Sequence, residues 1–179
     1  MPRIVDQSSS QTFVQQRHTD VLQNVYSWLL GGFTTSTWRD VAIAAPYILG
    51  SSLVLVLHRR VLDVLSLGDE EAASLGVDVG RTRLVIVAVA TLGTAAAVAV
   101  SGLIAFVGII VPHTIRLLVS TSYRAVVPLS LVVGAGFLVL TDVIARTVLS
   151  PAELPIGVVT AFFGAPFFAV VLRTSRTMR

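Results

Sequence analysis

The longest uncharged stretch of the sequence constrains the fold more than any other feature. Residues Leu84 to Val111 form a run of twenty-eight residues without a charged side chain. An α-helix needs about 20 apolar residues to cross the roughly 30 Å hydrocarbon core of a bilayer. The run is therefore too long for one untilted span, and we interpret it as two neighbouring spans.

Glycine and proline indicate where this run divides. Gly102 and Gly108 weaken a helix, and Pro112 lacks the backbone N–H that an interior helical position needs. We expect helix breaks at these residues, with one span at about 84–100 and a shorter one at about 103–119. Further breaks are expected near the end of the chain, at Pro155, Gly157, Gly164 and Pro166.

Three other apolar blocks complete the expected architecture, at about 41–57, 126–146 and 156–172. Only 13% of the residues are charged, against about 25% in soluble domains, and the apolar residues come in blocks instead of alternating. These features exclude an ordinary soluble domain and a β-barrel. The predicted fold is all-α, a polytopic transmembrane helical bundle of about five spans.

The arginines indicate the orientation of these spans. They sit at the ends of apolar blocks and form no single patch, which argues against nucleic-acid binding. Alternating spans put nine of them on one side, which should be cytoplasmic, namely Arg59, Arg60, Arg81, Arg83, Arg116, Arg124, Arg173, Arg176 and Arg179. The N-terminus, with a polar tail at 1–20, would then lie outside, and this tail would have to cross the membrane without an earlier span to guide it. The chain is therefore expected to be the back part of something longer.

The sequence carries no recognisable catalytic apparatus. It has no cysteine, no G-x-x-x-x-G-K-[ST] phosphate loop and no G-x-S-x-G motif. We therefore predict no catalytic residues, no cofactor and no metal site. Any ATP would have to be bound by a partner protein.

The polar segment 63–83, between two predicted spans, is the most informative part of the chain. Gly68 supplies a turn, the acidic residues 69–71 suit the positive end of a helix dipole, and Gly76 suits a helix stop. The segment predicts a short capped helix that either docks on a partner protein or serves as a linker.

Three motifs occur in an order that resembles the FecCD family of ABC importer permeases, which includes the vitamin B12 permease. They are Leu67-Gly-Asp-Glu-Glu-Ala-Ala-Ser-Leu-Gly76, the stretch from Gly102 to Leu118 with Val-Pro-His at its centre, and the stretch from Ala152 to Phe167. The likeness runs from about Val21 to the C-terminal arginines, so the domain it defines is 21–179. Family permeases carry about twice as many spans, and this chain resembles their second half only.

The resemblance implies a transport subunit rather than an enzyme. It implies two ATPase subunits, a second permease subunit in a homo- or heterodimer, and an external substrate-binding protein, in a bacterial cytoplasmic membrane. The cargo would be an iron-siderophore or a related metal chelate. Residues expected to couple to the ATPase are Gly68, Asp69, Glu70, Glu71, Ala72, Ala73 and Gly76.

Two further features bear on function. Asp142 and Arg146 have the spacing of an intrahelical ion pair, and the resemblance implies that Arg146 docks the substrate-binding protein. His113, Asp142 and Glu153 suggest an alternative class, an ATP-independent carrier or intramembrane enzyme, although no metal-ligand spacing supports it. Another alternative is a truncated product, non-functional or regulatory.

Overall fold

The computed structural model describes residues 25–33, 36–148 and 154–177, and the regular secondary structure in these ranges is α-helical. No strand occurs in these ranges, so the predicted all-α fold is confirmed. The helices are α1 (25–30), α2 (Trp38–Leu57), α3 (Arg59–Leu65), α4 (Asp69–Ser74), α5 (Val79–Ser101), α6 (Val107–Leu118), α7 (Tyr123–Thr147) and α8 (Ile156–Thr177).

Three of these helices, α2, α5 and α7, are long and apolar enough to cross a membrane. At most 11% of the residues in the apolar window of each are buried, so their surfaces face lipid or further helices. Helix α6 has only 12 residues, about 18 Å at 1.5 Å per residue, and cannot cross the bilayer core alone. The count of five spans therefore stays a prediction.

Each long helix begins in a polar cap before its apolar run. Thr37 and Asp40 form a capping box at the start of α2, in which Asp40 Oδ2 accepts the Thr37 N–H at 2.9 Å. The side chains of Asp78 and Ser122 accept backbone N–H groups at the starts of α5 and α7. These caps explain why the observed helices begin three to five residues before the predicted spans.

Helices α2 and α5 pack closely against each other at Gly93. A methyl group at this position would lie 2.8 Å from the Cβ of Ser51, which is closer than two non-bonded carbon atoms normally approach. Glycine here lets the two backbones come together, as small residues commonly do between helices in lipid.

The long uncharged run breaks at Gly102, as predicted. Gly102 and Phe106 both have a φ of +68°, and the segment between α5 and α6 is irregular. The last carbonyls of α5 accept hydrogen bonds from the preceding segment: Ala99 from Trp28 Nε1, Val100 from Ser36 Oγ, and Ser101 from the Gly32 N–H. The residues around α1 therefore cap the end of α5.

The other predicted breaks need correction, except Pro155, which precedes the first residue of α8. Gly108 and Pro112 lie inside α6, and Gly157, Gly164 and Pro166 lie inside α8. Pro112 has no N–H to donate to the carbonyl of Gly108, four residues earlier, but α6 continues through it, as α2 continues through Pro46 and α7 through Pro128.

The two glycines of α8 serve close contact instead of breaking the helix. A methyl group on Gly157 would overlap the carbonyl of Leu30, and one on Gly164 would overlap the side chain of Phe106. These contacts pack α8 against both α1 and the irregular segment that follows α5.

We predict that Gly93→Ala destabilises the bundle by about 1–3 kcal/mol, the usual cost of overpacking. Gly50→Ala is the matched control, because Gly50 lies in α2 with open space around it and alanine favours helix. Thermal unfolding of the two variants in detergent measures the difference. An equal or higher melting temperature for Gly93→Ala would contradict the packing described here.

Candidate coupling segment and the arginine at the opposite end

The candidate coupling segment, residues 68–76, contains the short helix α4 that the sequence predicts. Gly68 precedes α4 with a φ of +128°, and Asp69, Glu70 and Glu71 occupy its first turn. At its end Gly76 has a φ of +83°, its N–H donates to Ala73 O, and the Val77 N–H donates to Ala72 O. These two bonds form a Schellman motif, which ends the helix sharply.

Helix α4 has one anchored side and one open side. Ala72 is fully buried, at 0% exposure, and fixes the helix to its neighbours. Glu70, Glu71 and Ala73 are exposed, and so is the apolar side chain of Leu75. The helix therefore presents carboxylates and a small apolar surface away from the bundle.

An ion pair joins α4 to the helix that follows it. Arg83 Nη2 lies 2.7 Å from Asp69 Oδ1, and both side chains are more than half exposed. Exposed pairs of this kind contribute about 0–1 kcal/mol. The pair orients α4 but is a weak attachment.

Sequence analysis missed a second attachment, which begins in α3. Asp63 of α3 accepts a hydrogen bond from Ser122 Oγ at 2.7 Å, just before α7. The only feature of the sequence that could have indicated this contact is Ser122, a good N-cap residue immediately before an apolar helix.

The predicted intrahelical pair is present near the C-terminal end of α7. Arg146 Nε donates to Asp142 Oδ2 at 2.9 Å, and the two side chains are 44% and 23% exposed. Both residues line a cavity of about 200 Å³ together with Gly31 and Pro155. Because α7 separates them, this cavity and the Ser122 contact lie at opposite ends of the bundle.

The alternative site at His113, Asp142 and Glu153 gains no support from the geometry. The His113 ring packs edge-on against Phe167, with ring centroids 5.8 Å apart. Asp142 is paired with Arg146, and Glu153 lies outside the described residues. Within the described ranges, no three His, Cys, Asp or Glu side chains are grouped so that they could hold a metal ion.

Residues 7–174 match the sequence profile of the FecCD transport family. The chain belongs to this family. The family resemblance predicted from the three motifs is therefore confirmed. The prediction of a membrane protein is confirmed too, since three apolar helices are long enough to cross a bilayer.

Individual relatives of this FecCD-family chain are permease proteins. It is 43% identical over 153 residues to an uncharacterized ABC transporter permease protein, YvrB, of Bacillus subtilis, a match that covers 86% of this chain and 43% of the relative. It is 46% identical over 146 residues to the cobalamin import system permease protein BtuC of Halobacterium salinarum, covering 82% of this chain and 39% of the relative.

The fold also resembles a solved transporter. A metal-chelate type ABC transporter in an inward-facing conformation superimposes with a TM-score of 0.79 at 36% identity, covering 86% of this chain and 49% of that one. The FecCD-family chain thus spans less than half the length of the relatives it matches.

We predict that Ala72→Leu detaches α4 from the bundle, because the larger side chain has no room at a fully buried position. Ala73→Leu is the matched control, since Ala73 is the next residue of the same helix and its side chain is exposed. Limited proteolysis in detergent should cleave the segment 66–78 at least threefold faster in Ala72→Leu than in Ala73→Leu. Equal cleavage rates would show that Ala72 does not anchor α4.

Proposed function

We propose that this chain is a membrane-spanning permease subunit of an ATP-binding-cassette importer that moves a metal chelate across a bacterial cytoplasmic membrane. The observation that carries the proposal is the geometry of α4. A short helix with exposed carboxylates, ended by a Schellman motif, is fixed to the bundle through Ala72 in a chain of the FecCD transport family. Such a helix can transmit the motion of a docked partner to the helices around it.

The partner at α4 would be an ATPase subunit. The 179 residues contain no phosphate loop, so nucleotide hydrolysis is assigned to a separate protein, present in two copies beside two permease subunits. Closure of the ATPase pair would displace α4 and shift the attached helices between outward- and inward-open arrangements. The arginine-rich end of the bundle, which carries α4, would be cytoplasmic.

The opposite end would receive the cargo. Arg146 is partly exposed beside a cavity, and its Nη groups take no part in the Nε contact with Asp142. A guanidinium in this setting suits recognition of a carboxylate on an external substrate-binding protein. We propose this docking role for Arg146.

The names of the relatives support a proposal for the class of cargo. Their names specify import of cobalamin, Fe(3+)-citrate, hemin and molybdate, and the matched structure is a metal-chelate transporter. We propose a metal complex for this chain, with an iron-siderophore as the first compound to test.

The direct test reconstitutes the chain with ATPase subunits, and with the helices that correspond to the rest of such a relative. Co-purification from detergent is followed by uptake of a labelled chelate into proteoliposomes. We expect stable association with the ATPase and uptake that requires ATP. Uptake that proceeds equally without the ATPase would instead support an ATP-independent carrier.

Removing a charge from α4 should weaken ATPase binding. We predict that Glu70→Gln reduces co-purified ATPase at least threefold, because Glu70 is exposed in the first turn of the docking helix. Asp78→Asn is the matched control: it removes one exposed negative charge outside α4, and asparagine still caps α5. Equal losses in both variants would indicate a general charge effect and contradict docking through α4.

Neutralising Arg146 should weaken binding of the external protein. We predict that Arg146→Gln raises the dissociation constant about tenfold, equivalent to roughly 1.4 kcal/mol, measured by titration of the purified complex. Arg39→Gln is the control, since Arg39 is an exposed arginine in the first turn of α2, at the same end of the bundle. An unchanged affinity for Arg146→Gln would rule out the docking role.

A further inference from the structure

Asp63 connects the segment before α4 to a distant pair of helices. The residue lies in α3, and its side-chain partners among the described residues are at the start of α7, about sixty positions later in the sequence. Ser122 Oγ donates to its Oδ2 at 2.7 Å, the Tyr123 N–H donates to its Oδ1 at 2.5 Å, and Arg124 Nε lies 3.4 Å from Oδ2. Both carboxylate oxygens are therefore engaged.

The contact has the features of a durable attachment. The Asp63 side chain is only 22% exposed, and it faces the N-terminus of α7, where free backbone N–H groups and the helix dipole favour an anion. The hydrogen bond from Ser122 lowers the pKa of the Asp63 carboxyl against the opposing effect of burial, so the group stays ionised at neutral pH. Ser122 also accepts the Arg124 N–H, which ties Asp63 into the cap of α7.

The turn that receives Asp63 is itself held to α6. Arg116 Nη1 donates to Thr121 O at 3.1 Å, and the Arg116 guanidinium lies over the Tyr123 ring, 4.5 Å from its centroid. Val111 and Ile115 of α6 form a buried cluster with Val126 of α7. A displacement of Asp63 would therefore move α6 and α7 together.

The two attachments of the coupling segment differ in strength and in the helix that each one reaches. The Asp69–Arg83 pair joins α4 to α5, and both of its side chains are more than half exposed. The Asp63 attachment is better shielded from water and reaches α7, whose other end carries Asp142 and Arg146. Motion imposed at α4 reaches α7, and with it Asp142 and Arg146, through α3 and the Asp63 attachment.

We propose that Asp63 is a positioning residue that makes α6 and α7 follow the coupling segment during the transport cycle. The inference rests on the proposed function, in which α4 contacts the ATPase. In this account α3 and the start of α7 move as one body throughout the cycle. Loss of the attachment would let the ATPase hydrolyse ATP while α6 and α7 lag behind.

The first experiment measures the number of chelate molecules imported per ATP hydrolysed in the reconstituted complex. For Asp63→Ala we expect this ratio to fall at least threefold while the hydrolysis rate stays within twofold of the wild type. If the alanine variant does not accumulate, Asp63→Asn is used in its place. Asparagine keeps one oxygen that accepts a hydrogen bond but cannot form the ion pair with Arg124. Ser122→Ala should lower the ratio too, and the double variant should be no worse than Asp63→Ala.

The second experiment restores the attachment covalently. The sequence has no cysteine, so Asp63→Cys with Ser122→Cys provides a unique thiol pair for a short bifunctional thiol reagent. We expect the unbridged pair to import less chelate per ATP and the bridged pair to return to the wild-type ratio. A defect of folding alone would not be reversed by bridging.

Two results would overturn the inference. A wild-type ratio in Asp63→Ala would show that the attachment is not needed for coupling, and loss of transport on bridging would show that the two segments separate during the cycle. Asp78→Asn is the control for loss of an exposed carboxylate at the same end. Absence of ATP-dependent uptake in the wild type would instead refute the proposed function.

Discussion

A bilayer core offers peptide groups no hydrogen-bond partners, and the rest of this structure depends on that constraint. The chain forms helices, and at an irregular connection between them protein groups bond the carbonyls that the preceding helix leaves free. The clearest case follows α5, where Trp28, Ser36 and Gly32 donate to the last carbonyls of the helix. The residues around α1 thus permit the long apolar run to break at Gly102.

Motion in such a bundle can pass through packed side chains and through the polar groups that join helices. Close packing contacts between helices, such as α2 against α5 at Gly93, fix the distance between the helices but leave sliding possible along the groove. Ion pairs and shared caps fix position along the helix axis as well. The Asp63 attachment and the Asp69–Arg83 pair are of this second kind, and both lie next to α4.

The sequence predicted the local features of the fold well. The helical class, the break at Gly102, the short helix α4 and the Asp142–Arg146 pair each depend on residues close together in the chain. The helix starts were less accurate, because the apolar run of α5 begins at Leu84 but the cap at Asp78 adds a turn that contains Arg81 and Arg83. Hydropathy cannot detect a water-exposed turn that continues an apolar helix.

Features that depend on tertiary contact were missed or misjudged. Gly157 and Gly164 were predicted as breaks, but they allow Leu30 and Phe106 to approach α8. Asp63 gave no local signal, since its partners are about sixty residues away. The proposed role of α4 depends on a partner surface outside the chain, so no pattern within the sequence could establish it.

The central claim is that α4 lies outside the lipid on the cytoplasmic side, and the cysteine-free sequence allows a direct test. A single cysteine at Glu70 is treated with a membrane-impermeant maleimide in inverted and in right-side-out vesicles, with a single cysteine at Arg39 as the opposite-side reference. The account predicts labelling of the Glu70 position in inverted vesicles only. Labelling from the exterior, or in neither preparation until detergent is added, would contradict it.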